Sequence, residues 1–162
     1  VAGEGAPKLE VSGVDATGRK RRVVVIAAKW HTQIMEGLVA GALRVGEAAG
    51  VDVRLVRVPG SVELAVAAEA AAQKGVDGIV ALGVVVRGET PHFDYVCQAA
   101  THGLNDVALR HTVPVGFGVL TVDNEQQALD RAGLEGSKED KGAEAMEAVL
   151  VTAGVLDEIA GF

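Results

Sequence analysis

The chain has 162 residues, the size of one domain with a proper core. Hydrophobic residues make up 49% of it but aromatics only 3%, so Val, Ala and Leu must build the core, and part of the apolar surface is expected to be covered between copies of the chain. The net charge of −7 argues against nucleic-acid binding, and no apolar run approaches the roughly 20 residues that cross a bilayer.

Residues 1–20 are rich in Gly, Ala and charge and read as a flexible N-terminal arm, with Leu9–Ser12 as a candidate edge strand. Residues 21–162 read as a single α/β domain. The basic run Arg19–Arg22 is a solvated flank of the first strand. Val23–Ala28 is apolar and β-branched, as a strand buried on both faces is, and Thr32–Ala49 is a helix ended by Gly50. Val53–Val58 is a second strand and Val62–Lys74 an Ala-rich helix ended by Gly75. Asp77–Leu82 is a third buried strand. Thr90-Pro91 then starts a helix, an N-cap hydroxyl followed by a proline at the first helical position, and Phe93–Leu109 continues it. A fourth strand lies within Val113–Val122, a short helix over Asn124–Ala132, a linker at Leu134–Lys138 and a last helix over Lys138–Ile159. Strand alternating with helix four times predicts a parallel sheet covered on both faces.

Cys97, the single cysteine, falls inside the third helix and reads as a small buried hydrophobe rather than a nucleophile. No internal disulfide is possible and nothing resembles a signal peptide, so a reducing cytoplasm is the expected setting.

In open parallel sheets, ligands bind beyond the carboxyl ends of the strands. That rule selects Lys29-Trp30-His31, Gly60-Ser61-Val62-Glu63 and the turn from Arg87 to His92. The turn offers the N–H groups of Gly88 and Glu89, the Thr90 hydroxyl and the positive end of a helix, which together receive a phosphate. His92 beside it suggests proton transfer on a phosphorylated substrate, although a structural histidine fits the same position. Trp30 is equally consistent with stacking on a heterocycle and with an ordinary core role. Ser61 and Glu63 are consistent with ligand binding and with simple helix capping. Lys29 raises a Schiff-base mechanism, for which a solvated lysine is the simpler alternative. Arg131 and Lys141 could complete an anion site. His31, His102 and His111 stand on separate elements, so no metal site is expected. Gly116-Phe117-Gly118 lacks P-loop spacing and no Gly-x-Gly-x-x-Gly follows the first strand, so no cofactor is expected.

Taken together, these residues resemble the lumazine synthase family of riboflavin biosynthesis, from about Val23 to Ile159. Gly83-Val-Val-Val-Arg-Gly-Glu-Thr-Pro-His-Phe-Asp-Tyr-Val96 resembles that family's Gly-x-Thr-x-His-[Phe/Tyr]-[Asp/Glu]-Tyr-Val block. Gly118-Val-Leu-Thr121 with Glu125-Gln-Gln-Ala-Leu-Asp-Arg-Ala-Gly133 resembles its second block, and Asp140-Lys141-Gly142 its third. The resemblance implies a flavodoxin-like three-layer sandwich with a four-stranded parallel sheet. It implies condensation of a ribityl-substituted pyrimidinedione with 3,4-dihydroxy-2-butanone 4-phosphate to 6,7-dimethyl-8-ribityllumazine, without a cofactor or a metal.

By matching position, Trp30 would stack on the pyrimidinedione, with Gly60, Ser61, Val62 and Glu63 holding the ribityl chain and Val84, Val85 and Val86 lining the ring pocket. Gly88, Glu89, Thr90 and Arg131 would bind phosphate, and His92 would shuttle protons. Phe117, Arg131 and Lys141 would come from a neighbouring subunit, so the resemblance implies a homo-oligomer with sites between subunits. Three departures stand out. Trp30-His31 replaces the commoner phenylalanine-asparagine, and Ser61-Val62 an alanine and a larger apolar residue. The stretch from Arg131 to Lys141 is longer than in shell-forming members, which favours a pentamer over an icosahedral 60-mer. An archaeal-type riboflavin synthase, a flavin carrier and a shell protein are the rival readings.

Overall fold

The computed structural model describes residues 4–162, so the first three residues of the expected arm lie outside it. Four strands, β1 (Arg22–Ala28), β2 (Asp52–Val58), β3 (Gly78–Val86) and β4 (Val115–Val122), form one parallel sheet in the order β2-β1-β3-β4. Five helices accompany them: α1 (Thr32–Ala49), α2 (Leu64–Gln73), α3 (His92–His111), α4 (Glu125–Leu129) and α5 (Lys141–Ala160). This is the three-layer, flavodoxin-like sandwich expected from the sequence.

The handedness of the connections assigns the helices to their layers. A right-handed crossover moving left from β1 to β2 puts its helix on one face; crossovers moving right put theirs on the other. Accordingly α1 covers one side, and α5, which follows the last strand, packs beside it there, where Val25, Leu38, Val80 and Met146 meet in the core. On the opposite side α2 and α3 pack on Ile26, Ile79 and Ala81 through Leu64, Ala68 and Leu104. β3 is buried from Gly78 to Val85, which explains its unbroken apolar run. At the far end of that second layer, Glu69 of α2 pairs with Arg110 and His111 of α3, and these partners hold its carboxyl below the usual range.

Elements differ from the sequence expectation mainly at their ends. Leu9–Ser12 forms no strand; the nearest pairing is an antiparallel bridge between Val14 and Lys20. The chain is drawn instead to the end of α1, where the Gly13 N–H donates to the Ala49 carbonyl at 3.0 Å. α5 begins at Lys141 rather than Lys138, because the N–H groups of Lys138 and Glu139 both donate to the Asp130 carbonyl. Asp140 then caps the helix, its carboxylate accepting from the Ala143 N–H at 3.0 Å.

α1 and α5 approach so closely that Gly142 has no room for a side chain: a Cβ there would lie 2.0 Å from the Leu38 carbonyl oxygen. Gly154, on the same helix, would meet nothing within 4 Å. Gly142→Ala is therefore expected to cost about 1–3 kcal/mol through overpacking, whereas Gly154→Ala should gain about 0.5–1 kcal/mol of helix propensity. Thermal melting checks both, at about 2–4 °C for each kcal/mol in a chain of this size. Equal shifts in the two variants would refute the close α1–α5 contact.

Candidate functional site

The strand order reverses between β1 and β3, the point beyond whose carboxyl ends an open parallel sheet receives its ligand. Trp30 follows β1 directly and is 67% exposed, which excludes a core role. It is presented by an unusual backbone: His31, at the N-cap of α1, has φ 60° and ψ 66°, a left-handed conformation. Asparagine tolerates that conformation better than most residues, and histidine is among the next to do so. That accounts for the residue type at position 31 whichever of the two a chain carries.

The segment after β2 comes alongside. The Lys29 N–H donates to the Pro59 carbonyl at 3.3 Å, tying the two strand exits together. Gly60 is buried and extended, and a Cβ on it would lie 3.4 Å from the Trp30 indole and 3.6 Å from a Glu63 oxygen. Ser61–Glu63 is a 3-10 turn leading into α2, and neither Ser61 nor Glu63 caps the helix through its side chain. Ser61 is instead buried against β3, so close to Gly83 that a Cβ there would lie 2.6 Å from its hydroxyl. Val62 is exposed and Glu63 half-buried. Trp30, Gly60, Ser61, Glu63 and the strand above Gly83 thus form one continuous surface.

Val84 and Val85 send their side chains into opposite cores, while Val86, the last residue of β3, is half-buried. At the strand end these residues therefore present mainly their edges and main chain. The turn Gly88-Glu89-Thr90 beyond them is exposed, with open space around Gly88. α3 starts at His92 with Pro91 at its N-cap and no side-chain cap, one residue later than Thr90-Pro91 implies, and the Thr90 hydroxyl accepts from the His92 N–H at 3.4 Å. His92 opens α3 with an exposed side chain.

Arg87 braces this turn rather than pointing freely into it. Its Nε donates to Asp123 at 2.8 Å, its Nη1 lies 3.9 Å from Asp94, and the guanidinium covers the Phe93 ring at 4.4 Å. The Asp123 hydrogen bond raises its pKa further above the ordinary arginine value. Cys97, one turn into α3, is half-buried, and burial followed by Asp94 pushes its thiol up, consistent with a packing role.

Phe117, Arg131 and Lys141 gather elsewhere, in a cavity of about 1030 Å³ along the outer edge of β4. Strand β3 stands between that edge and β1. Phe117 is 46% exposed. Arg131 and Lys141 are neighbours across a short antiparallel bridge, the Lys141 N–H donating to the Arg131 carbonyl at 3.0 Å. Glu139 lies 3.5 Å from the Arg131 Nε and 3.2 Å from the Lys141 Nζ, and Glu144 lies 2.8 Å from that same Nζ. Burial opposes the Lys141 charge, but the Glu144 and Glu139 carboxylates outweigh it and hold the pKa above the ordinary lysine value. Glu147, in the same cavity, is pushed up by burial and then by Glu144 and Asp140. Glu144 was readable in advance from its i,i+3 spacing to Lys141; Glu139 gave no comparable signal. His102 and His111 both lie on α3 rather than on separate elements, because that helix runs on past Leu109. Among the described residues, no group of three His, Cys, Asp or Glu is placed to hold a metal, and no helix is long and apolar enough to cross a membrane.

The candidate residues thus form two groups, one over the ends of β1, β2 and β3 and one along β4. The family model described as 6,7-dimethyl-8-ribityllumazine synthase matches residues 20–157, which takes in both groups. The chain belongs to that family. It is 58% identical over 161 residues to the 6,7-dimethyl-8-ribityllumazine synthase of Kineococcus radiotolerans, covering 99% of this chain and 97% of the relative. The enzyme of the same name from a Nocardioides strain is 59% identical over 160 residues, covering 98% and 97%. That of Streptomyces coelicolor is 56% identical over 160 residues, again covering 98% and 97%. As a member of the lumazine synthase family the protein is an enzyme, a transferase of riboflavin biosynthesis.

Proposed function

We propose that the enzyme condenses 5-amino-6-ribitylamino-2,4(1H,3H)-pyrimidinedione with 3,4-dihydroxy-2-butanone 4-phosphate to give 6,7-dimethyl-8-ribityllumazine, phosphate and water, at sites shared between subunits of a homopentamer. The observation that carries this reading is the division of the candidate residues into two groups within one chain. The group over β1, β2 and β3 offers Trp30 and the main-chain turn at Gly88–Thr90, and the group along β4 offers Phe117 with the cations Arg131 and Lys141. Two copies placed so that the β4 edge of one meets the β1 and β3 ends of the next would bring the two groups together.

In that arrangement Trp30 stacks on the pyrimidinedione, and Gly60, Ser61, Val62 and Glu63 hold the ribityl chain. Val84, Val85 and Val86 border the ring, and Phe117 of the neighbouring copy closes over it. The main chain of Gly88 and Glu89, the Thr90 hydroxyl and the neighbour's Arg131 receive the phosphate, with Lys141 beside it. The substrate's own amine attacks the ketone carbon. Water leaves as the imine forms, phosphate is eliminated to an enol that tautomerises to a ketone, and the ribitylamino nitrogen adds to that carbonyl, a second water leaving as the ring closes. His92, next to the phosphate turn, carries protons between these steps. No enzyme nucleophile is required, and much of the acceleration comes from holding two small molecules in register.

The test mixes the purified protein with both substrates and follows lumazine formation above the spontaneous background. His92→Ala should lower kcat about 10–100-fold, at or below the usual effect of losing one acid–base group. A complete loss of turnover would assign His92 a larger role than proton transfer. Arg131→Ala should chiefly raise the KM for the butanone phosphate, and an unchanged KM would remove Arg131 from the phosphate site. Background rate in the wild type, with tight lumazine binding, would point to a carrier instead. Sedimentation should give the mass of five subunits, and a mass near sixty would overturn the pentamer.

A further inference from the structure

The loop from Asp130 to Lys141 is a short, stapled hairpin. Its arms are joined by the Gly133 N–H to the Glu139 carbonyl at 3.0 Å and the Lys141 N–H to the Arg131 carbonyl at 3.0 Å. Ser137 closes the tip, its hydroxyl accepting from the Leu134 N–H at 2.9 Å. This frame holds the Arg131 guanidinium and the Lys141 ammonium side by side. Between them lies one carboxylate, Glu139, with one oxygen toward each cation. The oxygen facing Lys141 is sealed from solvent, and the carboxylate side chain is only 15% exposed.

An anion therefore already occupies the space between the two cations. Counting Glu144 on the outer side of Lys141, the four side chains carry two positive and two negative charges at neutral pH. A phosphate ester approaching Arg131 meets a cation whose charge is shared, with a second negative group a few ångströms away. Charges at such spacing interact appreciably where solvent is partly excluded.

We infer that Glu139 is an internal competitor for the phosphate seat at Arg131, tuning the affinity for the phosphorylated substrate and easing release of the phosphate product. The inference rests on the phosphate role given to Arg131 above. An enzyme that turns over must release inorganic phosphate from the seat that bound the ester. A carboxylate waiting beside the cations supplies the replacement partner as the phosphate departs, so the mostly covered Lys141 ammonium is never left without a counter-charge.

The inference predicts an effect opposite in sign to that of a supporting carboxylate. Glu139→Gln keeps the size of the side chain and removes its charge. It should lower the KM for the butanone phosphate and the inhibition constant of inorganic phosphate by about 3- to 10-fold each. The KM for the pyrimidinedione should stay unchanged. Glu139→Asp, which keeps the charge, should remain near wild type in all three, with the melting temperature and subunit mass of both variants recorded as controls.

A rise in the phosphate constants of Glu139→Gln, or no change, would overturn the competition, the former by making Glu139 a positioning residue for Arg131. If Glu139→Gln fails to assemble, Glu139→Asp together with Lys141→Gln decides. Competition requires Lys141→Gln to weaken phosphate inhibition while Glu139→Asp leaves it intact, and any other pattern overturns the inference. Arg131→Ala, assayed in parallel, separates the two levels of the argument. If it alters neither the KM nor the phosphate inhibition, the phosphate reading itself fails. If it raises both and Glu139→Gln lowers neither, only the competition fails.

Discussion

Close approach between layers is the constraint on which the rest of this structure depends. With aromatics at 3% of the chain, the core is filled by Val, Ala, Leu and a few Ile and Met side chains. Small side chains gain contact only if the elements carrying them come near, because the stabilisation scales with apolar area removed from water. The α1–α5 layer meets that demand where the Gly142 main chain lies against the Leu38 carbonyl. The same contact lies in the first turn of α5, beside Asp140 and Lys141. A packing requirement inside one layer thus adjoins the point where a cation is presented at the edge of β4.

The sheet converts this rigid sandwich into a site. β1 and β3 are adjacent in space but separated in sequence by two helices and β2, and their exits diverge to opposite faces. The gap between those exits is bordered by Trp30 on one side and by the strand leading to Gly88 on the other. Ser61 is wedged against Gly83 from the α2 side, so the two strand exits rest on a packed contact rather than on a loop. Residues held in this way need little rearrangement to receive a ligand, which is where affinity and register between two reactants originate.

Much of this was legible in the sequence, for reasons tied to local physics. α1 has the limits its periodicity and Gly50 imply, and the alternation of strands and helices implies the sheet. What local pattern could not disclose came from pairing between distant segments. β3 continues four residues past Leu82 because Gly83–Val86 pair with Val119–Val122 of β4. α4 stops at Leu129, short of Ala132, because the segment after it bridges to Asp140. Trp30 was ambiguous between core and surface in the sequence and its exposure decides between them, and the pairing of Arg87 with Asp123 had no sequence signal. The motif identified the place correctly, but the partners of its charges lay on other elements and carried no spacing signal.

Electrostatics gives the arrangement its character. A chain of net charge −7 does not draw a phosphate ester toward itself by its overall field. Its cations near the candidate site are, moreover, committed: Arg87 to Asp123, Arg131 to Glu139, Lys141 to Glu139 and Glu144. Any recognition of an anion must then rely on short-range geometry, from the main-chain N–H groups at Gly88–Thr90 and the start of α3 at His92, and on exchange among paired charges. Such a site discriminates by fit more than by attraction. It also leaves each of these cations paired with a carboxylate while the site stands empty.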